Sequence, residues 1–215
     1  AAPNCAPSRA CLMSGQYSPR HGVYTVANSD RGSSKHRKLI PIKNTIHLAE
    51  EFVTMGEALQ AGGYVTATMG KWHLGDDPTT QGFDVNVAGK TWGSPSGGGY
   101  HSPYKYPNLE QKEKGEYLTD RLGLEACKFI EKNKDKPFFL YLTHYSVHTP
   151  IQAKPELKKK YQEKKPSERH KNAAYAAMIE STDDSVGAVL GKLNQLGLSD
   201  NTIVVFFSDN GGHGG

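Results

Sequence analysis

The residues best suited to chemistry lie near the start of the chain, where a cysteine and an arginine stand four positions apart. Pro7 suits the first turn of a helix and Gly15 suits the position just past its end, which predicts a helix that begins close to Cys5. Backbone N–H groups at a helix N-terminus favour an anion and help to hold a charged ligand. Arg9, one turn on, stays charged and can fix an oxygen atom. The arrangement predicts an anion-binding nucleophile at Cys5, whereas a lone cysteine here could equally be structural.

Three further groups of polar side chains could handle charge or a metal ion. Lys71 and His73 lie two residues apart in a glycine-flanked turn, and His148 occurs in the sequence His-Thr-Pro. Asp209 and Asn210 are adjacent, and hard oxygen donors of this kind suit Ca²⁺ or Mg²⁺. Taken singly, each group is also compatible with an ordinary surface turn.

Short apolar runs with the length of buried strands stand directly before these three groups. They cover residues 64–69, 138–143 and 203–208, and a polar turn follows each run at once. Helical patterns alternate with the runs, which predicts an α/β fold with a parallel sheet and crossover helices. Because ligands of open α/β sheets bind beyond the carboxyl ends of the strands, we expect the three turns to meet at one edge.

Helical periodicity covers three longer segments, residues 48–61, 119–133 and 171–196. Thr119 is a candidate N-cap of the second segment. Residues 89–107 are rich in Gly, Ser, Pro and Tyr and are predicted to form a long irregular loop that could line a substrate cleft.

Two sequence motifs resemble those of a known enzyme family. Residues 5–15 read C-A-P-S-R-A-C-L-M-S-G and fit C-x-P-S-R-x-x-L-x-[ST]-G, which resembles the signature of the type I, formylglycine-dependent sulfatases of the alkaline phosphatase superfamily. Residues 63–75 read G-Y-V-T-A-T-M-G-K-W-H-L-G and resemble the second sulfatase signature. The resemblance implies a mostly parallel sheet with helices on both faces, and residues 1–215 as part of a single catalytic domain.

The resemblance also implies roles for individual side chains. Cys5 would be oxidised after translation to formylglycine, whose hydrate attacks sulfur, and Arg9 would orient it. Lys71, His73 and His148 would bind the substrate. His148 would be the candidate to protonate the leaving alcohol, and His73 would take a proton when sulfate is expelled.

A divalent metal ion is implied as well, Ca²⁺ with Mg²⁺ as the alternative, bound by the modified residue 5, Asp209 and Asn210. The family also has a pair of aspartate ligands upstream of the first signature and a further lysine downstream of the Asp-Asn pair, and this chain contains neither. Both ends of the chain read as cuts through a longer protein. We therefore expect an incomplete metal site and no activity in these 215 residues alone, even with Cys5 converted.

Rival residues exist for two of these roles. His144 lies closer to the predicted strand than His148, but His148 matches the family pattern H-x-P and is preferred. Asp183 and Asp184 form another acidic pair, yet neighbours on a helix point in different directions, so they are not placed to bind one ion together. We interpret that pair as a cap or a surface feature.

The composition is that of a globular chain, with 36% hydrophobic and 22% charged residues. No apolar run of membrane-spanning length and no signal-peptide pattern occurs. The three cysteines do not form a disulfide framework or a zinc motif. Residues 154–171 hold eight Lys or Arg against three Glu, and residues 33–43 form a second basic loop. Such runs could attract an anionic polymer, although a solvated surface is the simpler interpretation.

Three functions follow as hypotheses. The first is hydrolysis of a sulfate ester, with a sulfated small molecule or saccharide as substrate and a formylglycine-generating maturation enzyme as partner. The second is hydrolysis of a phosphodiester or a phosphonate monoester, and the third is non-catalytic binding of sulfated glycans. No nucleic-acid partner is expected. A periplasmic, secreted or lysosomal location is implied by the family resemblance.

Overall fold

The computed structural model describes residues 2–212 and contains one parallel sheet of three strands. In chain order the strands are β1 (Val65–Gly70), β2 (Val85–Val87) and β3 (Phe138–Thr143), and they lie side by side in the order β2-β1-β3. Each residue of β1 pairs with the residue of β3 at the same position, from Val65 opposite Phe138 to Gly70 opposite Thr143. The expected parallel sheet is therefore present, and β1 is its central strand.

The described residues also form six α-helices and three short 3₁₀-helices. The α-helices are α1 (Cys5–Ser14), α2 (Ser18–His21), α3 (Met55–Ala61), α4 (Leu118–Lys132), α5 (Pro155–Gln162) and α6 (Ala173–Gln195). The 3₁₀-helices cover Ser34–His36, Pro78–Gln81 and Ser199–Asn201. Within the described residues, no helix is both long and apolar enough to cross a membrane.

Alternate side chains of β3 enter two different hydrophobic clusters, because successive residues of a strand point to opposite faces of a sheet. Phe138, Leu140 and Leu142 pack into the cluster that contains residues of α4. Phe139 and Tyr141 pack into the cluster that contains residues of α1 and the buried Trp72. The sheet is thus covered on both faces, as the sequence analysis predicts, and α6 lies beyond α4, packed against α4 and α5.

The third predicted strand is not a strand in this structure. Residues 203–208 form no ladder, and Ile203 and Phe206 are 93% and 83% exposed. A strand is stabilised by hydrogen bonds to a neighbouring strand and by burial of its side chains. No described strand lies beside this run, so the prediction of a buried strand is wrong for this structure.

Helix boundaries differ from the sequence prediction where capping decides them. The helix predicted over residues 48–61 begins only at Met55, because Thr54 and Glu57 form a capping box in which each side chain bonds the other's backbone N–H. Leu48 instead lies buried in an irregular segment, with its N–H bonded to the carbonyl of Leu74 at 2.8 Å.

The other two predicted helices need smaller corrections. Thr119 is not the cap of α4, since the N-cap is Tyr117 and Thr119 lies buried within the first turn. The predicted helix over residues 171–196 is α6, whose N-cap is Asn172; the Asn172 side chain accepts a hydrogen bond from the N–H of Tyr175 at 3.1 Å.

Candidate active site

Cys5 is the first residue of α1, at the carboxyl-terminal edge of the sheet. Gly15 ends the helix in a left-handed conformation, with φ at +65°, as its place in the motif predicts. The side chain of the N-cap residue, Asn4, does not cap the helix and instead donates to the Thr25 hydroxyl at 3.2 Å. The first-turn N–H groups beside Cys5 are therefore not bonded by a capping side chain, which is the condition for anion binding.

Arg9 ties three parts of the site together from a buried position. Its Nη1 donates to the carbonyl oxygen of Lys71 at 2.6 Å, and its Nε lies 3.2 Å from Oδ2 of Asp209. The neighbouring Ser8 hydroxyl donates to the backbone carbonyl of Asp209. Helix α1 therefore fixes the Asp209 turn and the turn after β1 with respect to Cys5.

Lys71 follows β1 directly and is only 4% exposed. Its N–H donates to the Thr143 carbonyl at 2.7 Å, and its side chain lies within hydrogen-bonding reach of Cys5. Burial lowers the pKa of Lys71 and the positive charge of Arg9 lowers it further, while the contact with Cys5 acts in the opposite direction. Lys71 thus places a buried ammonium group beside residue 5, within range of the Arg9 charge.

Gly70 permits the close approach of the strand ends. Its φ is +104°, and a Cβ placed there would lie 1.9 Å from the Thr143 carbonyl oxygen. Only glycine allows β1 and β3 to approach this closely at the point where Lys71 leaves the sheet.

His73 is held against the loop that was predicted to line a cleft. Its N–H donates to the Lys90 carbonyl at 2.9 Å, and a Cβ on Gly93 would lie 2.3 Å from its ring. Burial lowers the pKa of His73 to about 3, and the charges of Lys71, Arg9 and His148 contribute to the shift. The imidazole is therefore neutral at physiological pH.

His148, and not His144, acts on this charged cluster. The charge of His148 affects His73, whereas burial is the single cause that lowers the pKa of His144, to about 4. Both ring nitrogens of His144 are buried and lack a hydrogen-bond partner among the described residues. Tyr100 holds the backbone of His148, with its hydroxyl accepting the His148 N–H at 3.1 Å and lying 3.0 Å from the His148 carbonyl.

The metal ligands implied by the resemblance are brought only partly together. Asp209 reaches the site through Arg9, while Asn210 lies exposed on the same turn. Between residues 2 and 212, no group of three or more His, Cys, Asp or Glu side chains could hold a metal ion. The oxygen donors present suit Ca²⁺ or Mg²⁺ in type but do not make a complete set. Asp183 and Asp184 are exposed on α6, in keeping with a surface pair.

Comparison with known protein families identifies the family to which the chain belongs. The family model described as Sulfatase matches residues 1–215. The chain belongs to the sulfatase family. It is 33% identical to a sulfatase of Formosa agariphila, matching 97% of this chain and 48% of that protein. It is 32% identical to the N-acetylgalactosamine-6-sulfatase of Mus musculus, matching 97% of this chain and 41% of that enzyme.

Solved structures share the fold of this chain. The crystal structure of Ps i-CgsB is 30% identical, with a TM-score of 0.69 over 93% of this chain and 46% of that one. A protein solved in complex with D-glucosamine-2-N,6-O-disulfate has the same TM-score, 0.69, at 19% identity, which shows a shared fold. The chain thus spans 41% to 54% of the length of these relatives.

Within this sulfatase chain, sequence reasoning missed three residues that position the site. Thr143 donates from Oγ1 to the Lys71 carbonyl at 2.8 Å, Tyr100 holds the His148 backbone, and Gly93 makes room for the His73 ring. Thr143 is the last residue of a predicted strand, and this position is the signal that could have identified it. Tyr100 and Gly93 lie in the predicted cleft-lining loop, but no pattern singles them out.

Proposed function

We propose that the whole protein hydrolyses a sulfate ester, with a nucleophile made by oxidation of Cys5 to formylglycine. The observation that carries this proposal is the pair of buried cations, Arg9 and Lys71, beside residue 5 at the start of α1. A desolvated pair of positive charges next to helix N–H groups favours a compact oxyanion such as a sulfuryl group. Family membership supports the same chemistry.

Each protein group then has a defined task. When formed, the hydrated aldehyde at residue 5 supplies the hydroxyl that attacks sulfur. Lys71 and Arg9 neutralise charge on the sulfuryl oxygens, and because both are already buried and fixed they need little rearrangement during the reaction. Arg9 is additionally held by the Lys71 carbonyl, so its guanidinium keeps one orientation.

The two histidines suit opposite proton transfers. His73 is neutral because burial lowers its pKa to about 3, so one ring nitrogen is unprotonated, and we assign it to take up the proton when sulfate is expelled. In His148, Nδ1 lies 2.8 Å from the Thr149 carbonyl and must donate to it, because a carbonyl only accepts. We therefore assign Nε2 of His148, as the second N–H of the doubly protonated ring, to protonation of the leaving alcohol.

A divalent ion, Ca²⁺ or Mg²⁺, would be held by Asp209, Asn210 and the oxygen of the modified residue 5, together with ligands from outside the described residues. Such an ion would stabilise negative charge near sulfur. Because these residues do not complete its coordination, we expect the 215-residue chain alone to be inactive even with Cys5 converted.

The substrate we propose is a sulfated carbohydrate. One relative is an N-acetylgalactosamine-6-sulfatase, and Ps i-CgsB has been solved in complex with k-i-k-neocarrahexaose. Both names refer to saccharides, which supports this class for the present protein without naming the sugar or the sulfate position. We also propose a formylglycine-generating enzyme as partner and a periplasmic, secreted or lysosomal location.

The test compares an aryl sulfate with an aryl phosphate and an aryl phosphonate, using the chain with its flanking sequence and a maturation enzyme. We expect a higher kcat/KM for the sulfate. His148→Ala should lower this kcat/KM by about 100-fold or more, while His144→Asn should change it much less. A preference for phosphorus would favour the phosphohydrolase hypothesis, and glycan binding without turnover would favour a non-catalytic protein.

A further inference from the structure

A second basic site lies between the end of α5 and the start of α6. A cleft of about 430 Å³ opens there, and three lysines line it: Lys158, Lys164 and Lys171. Tyr161 forms one wall, and the Lys164 ammonium lies 4.7 Å from its ring centroid. We call this feature the lysine cleft.

The segment that forms the lysine cleft carries a net positive charge, since residues 158–171 hold seven Lys or Arg against two Glu, Glu163 and Glu168. None of its three lysines forms an ion pair with a carboxylate of the described residues, and no acidic residue is among the described residues that line it. The charge of Glu180 does act on Lys164, but Glu180 is already paired with Lys160 at 2.6 Å. Such a concentration of like charge attracts an anion.

Acidic residues of α6 lie further along the helix. Asp183 is ten residues beyond Ala173, which lines the cleft, and this spacing corresponds to about 15 Å of helix. The hydrogen bond to Glu180 and, to a smaller extent, the charge of Asp183 nevertheless raise the pKa of Tyr161, so carboxylates of α6 act on this wall of the cleft. The carboxylates of α6 therefore act on the Tyr161 side of the cleft, whereas Lys158, Lys164 and Lys171 form no ion pair among the described residues.

The start of α6, which borders the lysine cleft, approaches the segment that follows Asp209. Tyr175, in the first turn of α6, follows directly after the cleft residues Ala173 and Ala174. Its hydroxyl would be 3.1 Å from a Cβ on Gly212, three residues after Asp209. A ligand that reaches the Asp209 turn is therefore near the start of α6, and a polymer could contact both places.

We propose that the lysine cleft binds a sulfate group of the substrate saccharide other than the one that is hydrolysed. This inference rests on the proposed function, since it assumes that the substrate is a sulfated carbohydrate chain. It assigns the protein a preference for saccharides with several sulfate groups over those with one. The lysines would bind the saccharide chain and take no part in the reaction, because they lie outside the cluster around residue 5.

Equilibrium binding of fluorescent dextran sulfate tests the proposal. The full-length protein carries Cys5→Ser, so that turnover cannot alter the probe. We expect Lys158→Ala, Lys164→Ala and Lys171→Ala together to weaken binding by about tenfold or more, and arginine at the same three positions to restore it. Unsulfated dextran should not bind.

The matched control removes the same charge elsewhere. Lys132, Lys134 and Lys136 precede β3, at the opposite edge of the sheet, and their triple alanine variant should weaken binding only slightly. Equal losses in the two triple variants, or no loss in the first, would overturn the proposal, as would tighter binding of single-stranded DNA than of dextran sulfate. Failure of the proposed function would show separately, as absence of aryl sulfate turnover in the converted protein.

Discussion

At the scale of single residues, the site is a cluster of buried charges around one reactive position. Arg9 and Lys71 are both largely removed from water, and Asp209 is the carboxylate that balances them. Burying charged groups is costly unless they are paired and hydrogen-bonded. The presence of this cluster despite the free-energy cost of burial fits a binding or catalytic role better than a purely structural one.

Replacement of Arg9 tests the cluster directly. Arg9→Ala leaves the Lys71 carbonyl without its donor and Asp209 without its cation, so we expect the free energy of unfolding to fall by about 3 kcal/mol. Urea denaturation of the Arg9→Ala and Arg20→Ala variants provides the measurement. The control is Arg20→Ala on the surface, for which the change should stay within about 0.5 kcal/mol. Equal effects of the two substitutions would argue against the buried pair.

His144 predicts how stability depends on pH. Its pKa is about 4 in the folded protein and 6.5 in the reference state, so the unfolded chain binds its proton first as the pH falls. Stability therefore decreases between pH 6.5 and pH 4, by about 3 kcal/mol from this group. His144→Phe should remove that part of the dependence in urea titrations at pH 7 and pH 4. The exposed His36→Gln should leave it in place, and identical slopes in all three proteins would contradict the assignment.

At the scale of elements, the approach of β1 to β3 controls where Lys71 emerges. Gly70→Ala should be strongly destabilising, because its Cβ would overlap the Thr143 carbonyl and its φ of +104° is also unfavourable. Gly63→Ala is the matched control, since its φ is +84° with open space around the Cβ, so it carries the backbone strain alone at about 1 kcal/mol. In thermal unfolding, the melting temperature of Gly70→Ala should lie well below that of Gly63→Ala. Similar melting temperatures would mean that the overlap is relieved at little cost.

Elements whose signals are local could be predicted from the sequence. Helix α1 has Pro7 in its first turn and Gly15 just past its end, and β1 and β3 lie within the short apolar runs. The start of α3 was missed because the Thr54 capping box outweighs the apolar periodicity before it. Residues 203–208 have the same apolar character as β3, but strand formation also needs a neighbouring strand, and no local pattern encodes one.

Some residues of the candidate site could likewise be predicted from the sequence, and others could not. The resemblance named Cys5, Arg9, Lys71 and His148 from two motifs and one tripeptide, and the structure brings them to one edge of the sheet. The support of His148 by Tyr100 depends on residues 48 positions apart. Long-range contacts of this kind arise from tertiary packing, so spacing along the chain does not reveal them.

At the scale of the whole molecule, the described residues form the part of the site that would bind the substrate more completely than the part that would bind the metal ion. The cations and histidines form a connected cluster, whereas the described oxygen donors do not complete a metal site. The chain spans 48% and 41% of two curated relatives, so the activity of the whole protein is a proposal that rests on this cluster and on family membership.

The central claim is that residue 5 acts as formylglycine and not as a thiol. Mass spectrometry of the peptide that contains residue 5 tests it most directly, on catalytically active protein made with its flanking sequence and a maturation enzyme. We predict the mass of the aldehyde or its hydrate at this position. An unmodified Cys5 thiol in protein with undiminished sulfatase activity would contradict the account.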